Sequence, residues 1–101
     1  MEVIIEKQNE VVTAFLKGRL DTLAAQEVSN KMEDLIEATS GTVVLDCSEM
    51  TYISSSGLRL FLTLRKAAAE KGGKVIVRGI SNDIRSVFMM TGFLNLFEIQ
   101  P

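Results

Sequence analysis

Residues 42–58 read TVVLDCSEMTYISSSGL, and this stretch indicates the fold because an apolar strand is followed by a capped helix. The run 42–45 is continuously β-branched or apolar, which is typical of a central strand covered on both faces. The polar segment 46–49 ends it. A helix is expected over residues 55–70, since a serine can cap its start and residues 71–73 (KGG) form a helix stop. A strand that leads into a helix in this way predicts a parallel sheet with crossover helices.

The segment before this stretch predicts an antiparallel hairpin. Residues 3–5 and 11–16 are two β-rich runs, and the polar residues 7–10 between them form a turn that joins neighbouring strands. Gly18 is expected to break the second strand.

A first helix should follow the hairpin. Asp21 or Thr22 can cap its start, and Ser40 and Gly41 are expected to end it. Its apolar residues recur at spacings of three and four, which predicts one buried side: Ala24, Val28, Met32, Leu35 and Ile36.

The remaining third of the chain repeats the alternation of strand and helix. Residues 74–78 form a short apolar strand, residues 81–83 can cap a third helix that Gly92 closes, and residues 96–99 form a last strand. The element order is therefore β-β-α-β-α-β-α-β over a single domain, residues 1–101. This is an α/β fold with a mixed β-sheet of about five strands and helices packed mainly on one face.

Two sets of apolar side chains are assigned to the core. In the second helix the predicted buried side consists of Leu58, Phe61, Leu62, the stem of Arg65 and Ala69. At the end of the third helix, core packing is preferred to a protein interface for Met89, Met90, Phe93 and Leu94.

Composition excludes several classes of function. The 101 residues are 47% hydrophobic and 24% charged, with a net charge of -2, which predicts a folded domain without the basic surface of a nucleic-acid binder. One cysteine and no histidine leave no disulfide, no Cys/His zinc site and no Ser-His or Cys-His catalysis, so no enzyme, metal or cofactor is predicted. No segment resembles a signal peptide or a membrane span, and a cytoplasmic location is expected.

The serine cluster Ser54-Ser55-Ser56 is the most unusual feature, and it lies at the predicted start of the second helix. One serine suffices to cap a helix, so capping explains the place of the cluster better than its length. A helix start also presents unpaired N–H groups and partial positive charge, which would stabilise a phosphate. The cluster therefore suggests a serine that can be phosphorylated without unfolding the domain.

Four short motifs resemble a known family, the STAS domains, and within it the bacterial anti-sigma-factor antagonists. They are residues 18–21 (GRLD, with Ala24 or Ala25 shortly after), 45–48 (LDCS), 52–59 (YISSSGLR) and 91–93 (TGF). Each motif is weak alone, but their order, spacing and the matching chain length are together fairly specific.

The resemblance implies a partner-switching cycle. The unphosphorylated protein would bind an anti-sigma factor with serine kinase activity and so free a sigma factor. Phosphorylation would release it, and a metal-dependent serine phosphatase would reset the switch. By register with the family motif the acceptor is Ser55, with Ser56 and Ser54 less favoured; the best-known antagonists carry Asp at the position of Ser54. The expected partner-binding surface comprises Asp21, Asp46, Ser54, Ser56, Gly57 and Arg59.

Three questions stay open at this point. The chain could be a monomer or a weak dimer. A non-phosphorylated STAS scaffold or a subunit of a transport complex would use the same fold. A nucleotide-binding STAS module is a third alternative, with phosphate accepted by the amides at the helix start.

Overall fold

The computed structural model of the chain describes residues 1–37 and 42–101, with the backbone alone for residues 34–37. The chain opens with the antiparallel pair β1 (Glu2–Gln8) and β2 (Val11–Leu20). Asn9 and Glu10 between them both have positive φ, as the two central residues of a type I′ hairpin turn do. The predicted hairpin is confirmed.

A mixed sheet is built on this hairpin. The strands β3 (Thr42–Asp46), β5 (Val75–Arg78) and β6 (Glu98–Gln100) extend it in the order β1-β2-β3-β5-β6, and all pairs after the hairpin are parallel. The predicted central strand is therefore confirmed as β3. A short strand, β4 (Met50–Ile53), pairs with the last residues of β2.

The helices are α1 (Thr22–Glu37), α2 (Ser55–Glu70) and α3 (Asn82–Thr91). Along β2 the alternate residues Val12, Ala14 and Leu16 are completely buried, whereas Thr13 and Phe15 are only partly covered. This alternation is typical of a sheet that packs its helices on one face. The α/β fold class is confirmed, with β4 added to the predicted order.

Two predicted boundaries are wrong and one strand is missing from the prediction, each for a local reason. Gly18 does not end β2: its φ of 101° allows an irregularity in the pairing between Gly18 and Arg19, and the strand continues to Leu20. The sequence pattern missed β4 because its burial does not alternate: Met50 and Ile53 are buried, whereas Thr51 and Tyr52 between them are exposed. The last strand begins at Glu98, since Phe93–Asn95 form a 3-10 turn and Phe97 is buried.

The first helix follows its pattern. Ala24, Val28 and Met32 are buried as predicted. The side chains of Leu35 and Ile36, and the predicted stop at Ser40 and Gly41, lie outside the described residues.

The second helix buries a different side from the predicted one. Its buried residues are Gly57, Leu60, Phe61, Leu64 and Ala68, and of the predicted set only Phe61 is fully buried. Leu62 is 39% exposed. The helix is therefore rotated relative to the prediction so that Gly57 faces the sheet.

The third helix has the predicted ends. The Ser81 hydroxyl accepts a hydrogen bond from the amide of Ile84, and Gly92 closes the helix in the left-handed conformation. The predicted core packing of Met89 and Met90 is wrong. Both lie on the outer side of α3 and are 65% and 86% exposed.

None of the helices in the described part of the chain is long and apolar enough to span a membrane.

Candidate functional site

The candidate site is the junction where β2, β4 and α2 meet. The amide of Ser54 donates to the carbonyl of Leu20 (3.0 Å), and the Ser54 hydroxyl donates to the same carbonyl (2.9 Å). The Ser54 oxygen also accepts from the amide of Gly57 (3.0 Å), which makes Ser54 the N-cap of α2. Ser54 is therefore a structural residue that ties the helix start to the end of β2.

Ser56 links the first two helices. Its hydroxyl lies 3.1 Å from the hydroxyl of Thr22 at the start of α1, and the residue is partly buried. This hydrogen bond places the start of α1 beside the start of α2.

Ser55 differs from both neighbours. It is the first residue of α2, it is exposed, and among the described residues its hydroxyl has no hydrogen-bond partner. The amides of Ser54 and Gly57 are satisfied, whereas within the described chain those of Ser55 and Ser56 have no acceptor. The free hydroxyl therefore lies next to two free backbone donors.

Gly57 sets how closely α2 approaches the sheet. A Cβ atom at this position would come within 2.9 Å of side-chain atoms of both Ile53 and Leu20. The residue is buried. Its role in the structure is close packing, and this burial does not favour the predicted direct contact with a partner.

Asp21 directly precedes α1. Its carboxylate accepts a hydrogen bond from the amide of Ala24 (2.9 Å), so it caps the helix, and it is exposed. Asp21 directly precedes Thr22, the residue that contacts Ser56 of the serine cluster.

Arg59 lines a groove between α1 and α2 of about 270 Å³. Arg59 is the only charged residue in the lining of this α1–α2 groove as the structure describes it. The other lining residues supply hydroxyl, amide or apolar groups: Thr22, Ala25, Gln26, Ser29, Ser56, Leu60 and Thr63.

Asp46 is not joined to this site by any contact in the described chain. It accepts hydrogen bonds from Arg78 (2.8 Å) and from the amide of Ser48 (3.0 Å). It follows Leu45, whose side chain is in the core, so Asp46 lies on the opposite face of the sheet. Partial burial opposes ionisation, but the hydrogen bonds from Arg78 and Ser48 outweigh it and lower the pKa of Asp46. An ion pair within the sheet accounts for this residue.

Neighbouring Cys47 is buried. Burial, with a smaller contribution from the charge of Asp46, raises the pKa of its thiol to about 12. No group of three metal-ligating side chains occurs among the described residues.

Sequence reasoning missed an exposed pair beside the junction. Arg19 and Tyr52 are register partners on β2 and β4, and the guanidinium of Arg19 lies 4.2 Å from the centre of the Tyr52 ring. No local pattern signals this pair, because it depends on pairing across the irregularity at Gly18.

The family of the chain follows from a direct comparison. The model of the STAS domain family matches residues 2–101. The chain belongs to the STAS domain family. The resemblance seen in the four sequence motifs is thereby confirmed.

Two relatives of this STAS domain are named as antagonists of anti-sigma factors. The anti-sigma-B factor antagonist of Listeria monocytogenes is 26% identical over 98 residues, which cover 96% of this chain and 85% of the relative. The anti-sigma F factor antagonist of Paenibacillus polymyxa is 26% identical over 102 residues and covers 100% and 85% of the two chains.

A solved structure supports the fold. The Bacillus cell fate determinant SpoIIAA in its phosphorylated form matches with a TM-score of 0.79 and 23% identity, covering 97% of this chain and 90% of that one.

Two serines of the cluster, Ser54 and Ser55, are expected to differ in how much stability the domain loses when each is replaced by alanine. Ser54→Ala should lower the free energy of unfolding by about 1 kcal/mol, because it removes the N-cap and the bond to Leu20. Ser55→Ala should change it by less than about 0.5 kcal/mol, since no bond is lost. Urea unfolding of the two variants measures the difference, and equal losses would contradict the assigned roles.

Proposed function

We propose that this STAS domain is an anti-sigma factor antagonist, a binding protein whose switch is phosphorylation of Ser55. In this proposal the unphosphorylated form binds an anti-sigma factor with serine kinase activity, and phosphorylation releases it. A metal-dependent serine phosphatase completes the cycle, and the cytoplasm is the proposed location. The observation that carries the proposal is that Ser55 alone among the three serines is exposed with an uncommitted hydroxyl.

The relatives support the class of function. Two relatives that align over nearly the whole of this chain are named as antagonists of anti-sigma factors. SpoIIAA has been solved in a phosphorylated form with the same fold, which supports a fold that tolerates a phosphate.

The start of α2 is suited to a phosphate on Ser55. The free amides of Ser55 and Ser56, together with the partial positive charge of the helix start, would stabilise a negative group there. Ser54 keeps its own bonds to Leu20 and Gly57, so the cap need not break. The domain should therefore stay folded after modification.

The same phosphate would change the surface that a partner meets. It adds about -1.5 to -2 charges at pH 7, and the whole chain carries a net charge of -2. A partner surface that fits a neutral hydroxyl would have to bury a hydrated dianion, which opposes binding. Release follows from this local change without any refolding.

Ser54 fits the same interpretation. Asp, which the best-known antagonists carry at this position, and Ser are equally good N-caps. Ser54 therefore preserves the cap geometry and removes one negative charge beside the acceptor.

The experiment is a binding and phosphorylation assay with a kinase-type anti-sigma factor from the same genome. The unphosphorylated protein should bind it in isothermal titration, and incubation with ATP should add one phosphoryl group at Ser55, located by peptide mass spectrometry. Ser55→Asp should weaken binding by about tenfold through its single charge. Ser55→Ala should bind without ever being released by ATP.

Ser54→Ala and Ser56→Ala are the matched controls, because each removes a committed hydroxyl from the same cluster. Both should still gain the phosphoryl group. Modification of the Ser55→Ala variant would show that the acceptor is misassigned, and failure to bind any kinase-type anti-sigma factor would count against the function itself.

A further inference from the structure

Arg59 lies at the site but has no role in the proposed switch so far described. Four residues after Ser55 on α2, it projects from the same side of the helix one turn along. Its guanidinium has no hydrogen-bond or ion-pair partner in the described chain. By contrast, Arg65 donates to the carbonyl of Leu96, and Arg78 donates to Asp46.

We infer that Arg59 is the phosphate-binding residue of the switch: phosphorylation of Ser55 draws its guanidinium out of the α1–α2 groove and into an ion pair with the phosphoryl group. This rests on the proposed function, of which it is a mechanistic detail. The pair has the favourable order for two residues four apart, with the anion towards the N-terminus of the helix. A guanidinium also matches phosphate oxygens with two parallel hydrogen bonds.

The charges around the pair favour this movement. The groove lining contains no carboxylate that would hold Arg59 in place, as far as the structure describes it. Two acidic residues near the groove already accept hydrogen bonds: Asp21, the cap of α1, accepts from the amide of Ala24, and Glu33 accepts from the hydroxyl of Ser29, a lining residue. The first turn of α2 contains no acidic residue. A phosphate on Ser55 is then the strongest anion within reach of Arg59.

The consequence is that phosphorylation changes the surface in two places. A dianion is added at Ser55, and the groove loses its only cation in the described lining. What remains in the described lining is neutral, with the hydroxyl groups of Thr22, Ser29, Ser56 and Thr63 and the amide of Gln26 as its polar groups. A partner that pairs with Arg59 would lose that contact at the same moment as it meets the phosphate.

The test needs no kinase and no partner. Phosphoserine is placed at position 55 by genetic encoding, and the second pKa of the phosphate, ordinarily about 6, is measured by ³¹P NMR titration. Arg59→Gln should raise this pKa by about 0.2 to 0.4 unit, the size expected for a charge pair one helical turn away. Arg59→Lys keeps the charge but loses the planar guanidinium. Its phosphate pKa should therefore lie between that of the unchanged protein and that of Arg59→Gln.

Lys66→Gln is the matched control, because it removes one positive charge from the same helix at a position about 16 Å from Ser55 along the helix axis. It should leave the phosphate pKa within about 0.1 unit at physiological salt. In ¹⁵N spectra the Nε–H signal of Arg59 should move on phosphorylation and titrate with the phosphate, while that of Arg85 stays in place. Equal pKa values for Arg59→Gln and Lys66→Gln, or an Arg59 signal that ignores the phosphate, would overturn the inference.

This outcome is independent of the outcome with the kinase. An Arg59 effect on an encoded phosphoserine, combined with no binding to any kinase-type anti-sigma factor, would refute the proposed function and leave the ion pair standing. Binding and release by such a kinase without an Arg59 effect would refute only the ion pair.

Discussion

Replacement of Phe88 by alanine should lower the free energy of unfolding by about 3 to 5 kcal/mol, the largest single effect expected in this chain. The ring is completely buried on α3 and packs against three other aromatic rings, with centroids 5.7 to 6.4 Å away: Phe61, Phe93 and Phe97. Removing it leaves a cavity between α3, α2 and the last turn of the chain. The whole free energy of unfolding of a domain of this size is only about 5 to 15 kcal/mol. The midpoint of urea unfolding should therefore shift to a much lower urea concentration.

Met90→Ala is the control on the same helix. Met90 is as apolar as a core residue but is 86% exposed, so its removal should change the unfolding free energy by no more than about 0.5 kcal/mol. Similar losses for Phe88→Ala and Met90→Ala would mean that the outer side of α3 is covered in solution, as in a dimer.

The hairpin, the central strand and the first helix could be predicted because their patterns are unambiguous. In α1, Ala24, Val28 and Met32 recur every four residues and most residues between them are polar, so one side is buried. The hairpin follows from two apolar runs and a polar turn, and β3 from its continuous apolar run. These elements depend on local sequence alone.

The rotation of α2 could not be predicted for the opposite reason. Apolar residues occur on almost every side of this helix, so several rotations give an apolar face. The actual rotation is set by Gly57, the one position where the backbone can approach Leu20 and Ile53. Glycine does not count as an apolar residue in a hydrophobic pattern. The spacing of apolar residues therefore could not predict the contact that decides the rotation.

The candidate site was predictable in place but not in detail. The sequence locates three serines at a helix start, yet their different roles depend on hydrogen bonds from Ser54 to Leu20 and between Ser56 and Thr22. Both partners lie 34 residues away in the chain. Asp46 shows the converse case: it belongs to a family motif, but the pairing of β3 with β5 gives it Arg78 as a partner on the opposite face.

Gly57→Ala should lower the free energy of unfolding by about 1 kcal/mol, the difference between a typical overpacking cost of about 2 kcal/mol and a gain of about 1 kcal/mol in helix propensity. Alanine favours a helix over glycine by about 1 kcal/mol, so helix propensity alone predicts stabilisation. The added methyl group, however, would lie 2.9 Å from Leu20 and from Ile53, and overpacking of this kind typically costs about 1 to 3 kcal/mol. Urea unfolding gives the sign, and a stabilised variant would contradict the close contact.

A double-mutant cycle with Leu20→Ala separates this steric effect from a change in the helix. Leu20→Ala removes two of the three side-chain atoms that the added methyl group would approach. The loss of unfolding free energy in the double variant should therefore be smaller than the sum of the two single losses by about 1 kcal/mol or more. Additive losses would instead place the cause within the backbone of α2.

The same substitution should disturb the switch without touching a serine. If the start of α2 moves away from the sheet, the two bonds from Ser54 to the carbonyl of Leu20 lengthen first, because they join the helix start directly to β2. The amide of Ser54 should then exchange its hydrogen faster in Gly57→Ala, while the amide of Val43 in the central strand exchanges at a rate set by global stability. A larger acceleration at Ser54 than at Val43 would mean that a residue without a side chain holds the Ser55 hydroxyl in place, and an equal acceleration at the two amides would show that the helix start absorbs the methyl group elsewhere.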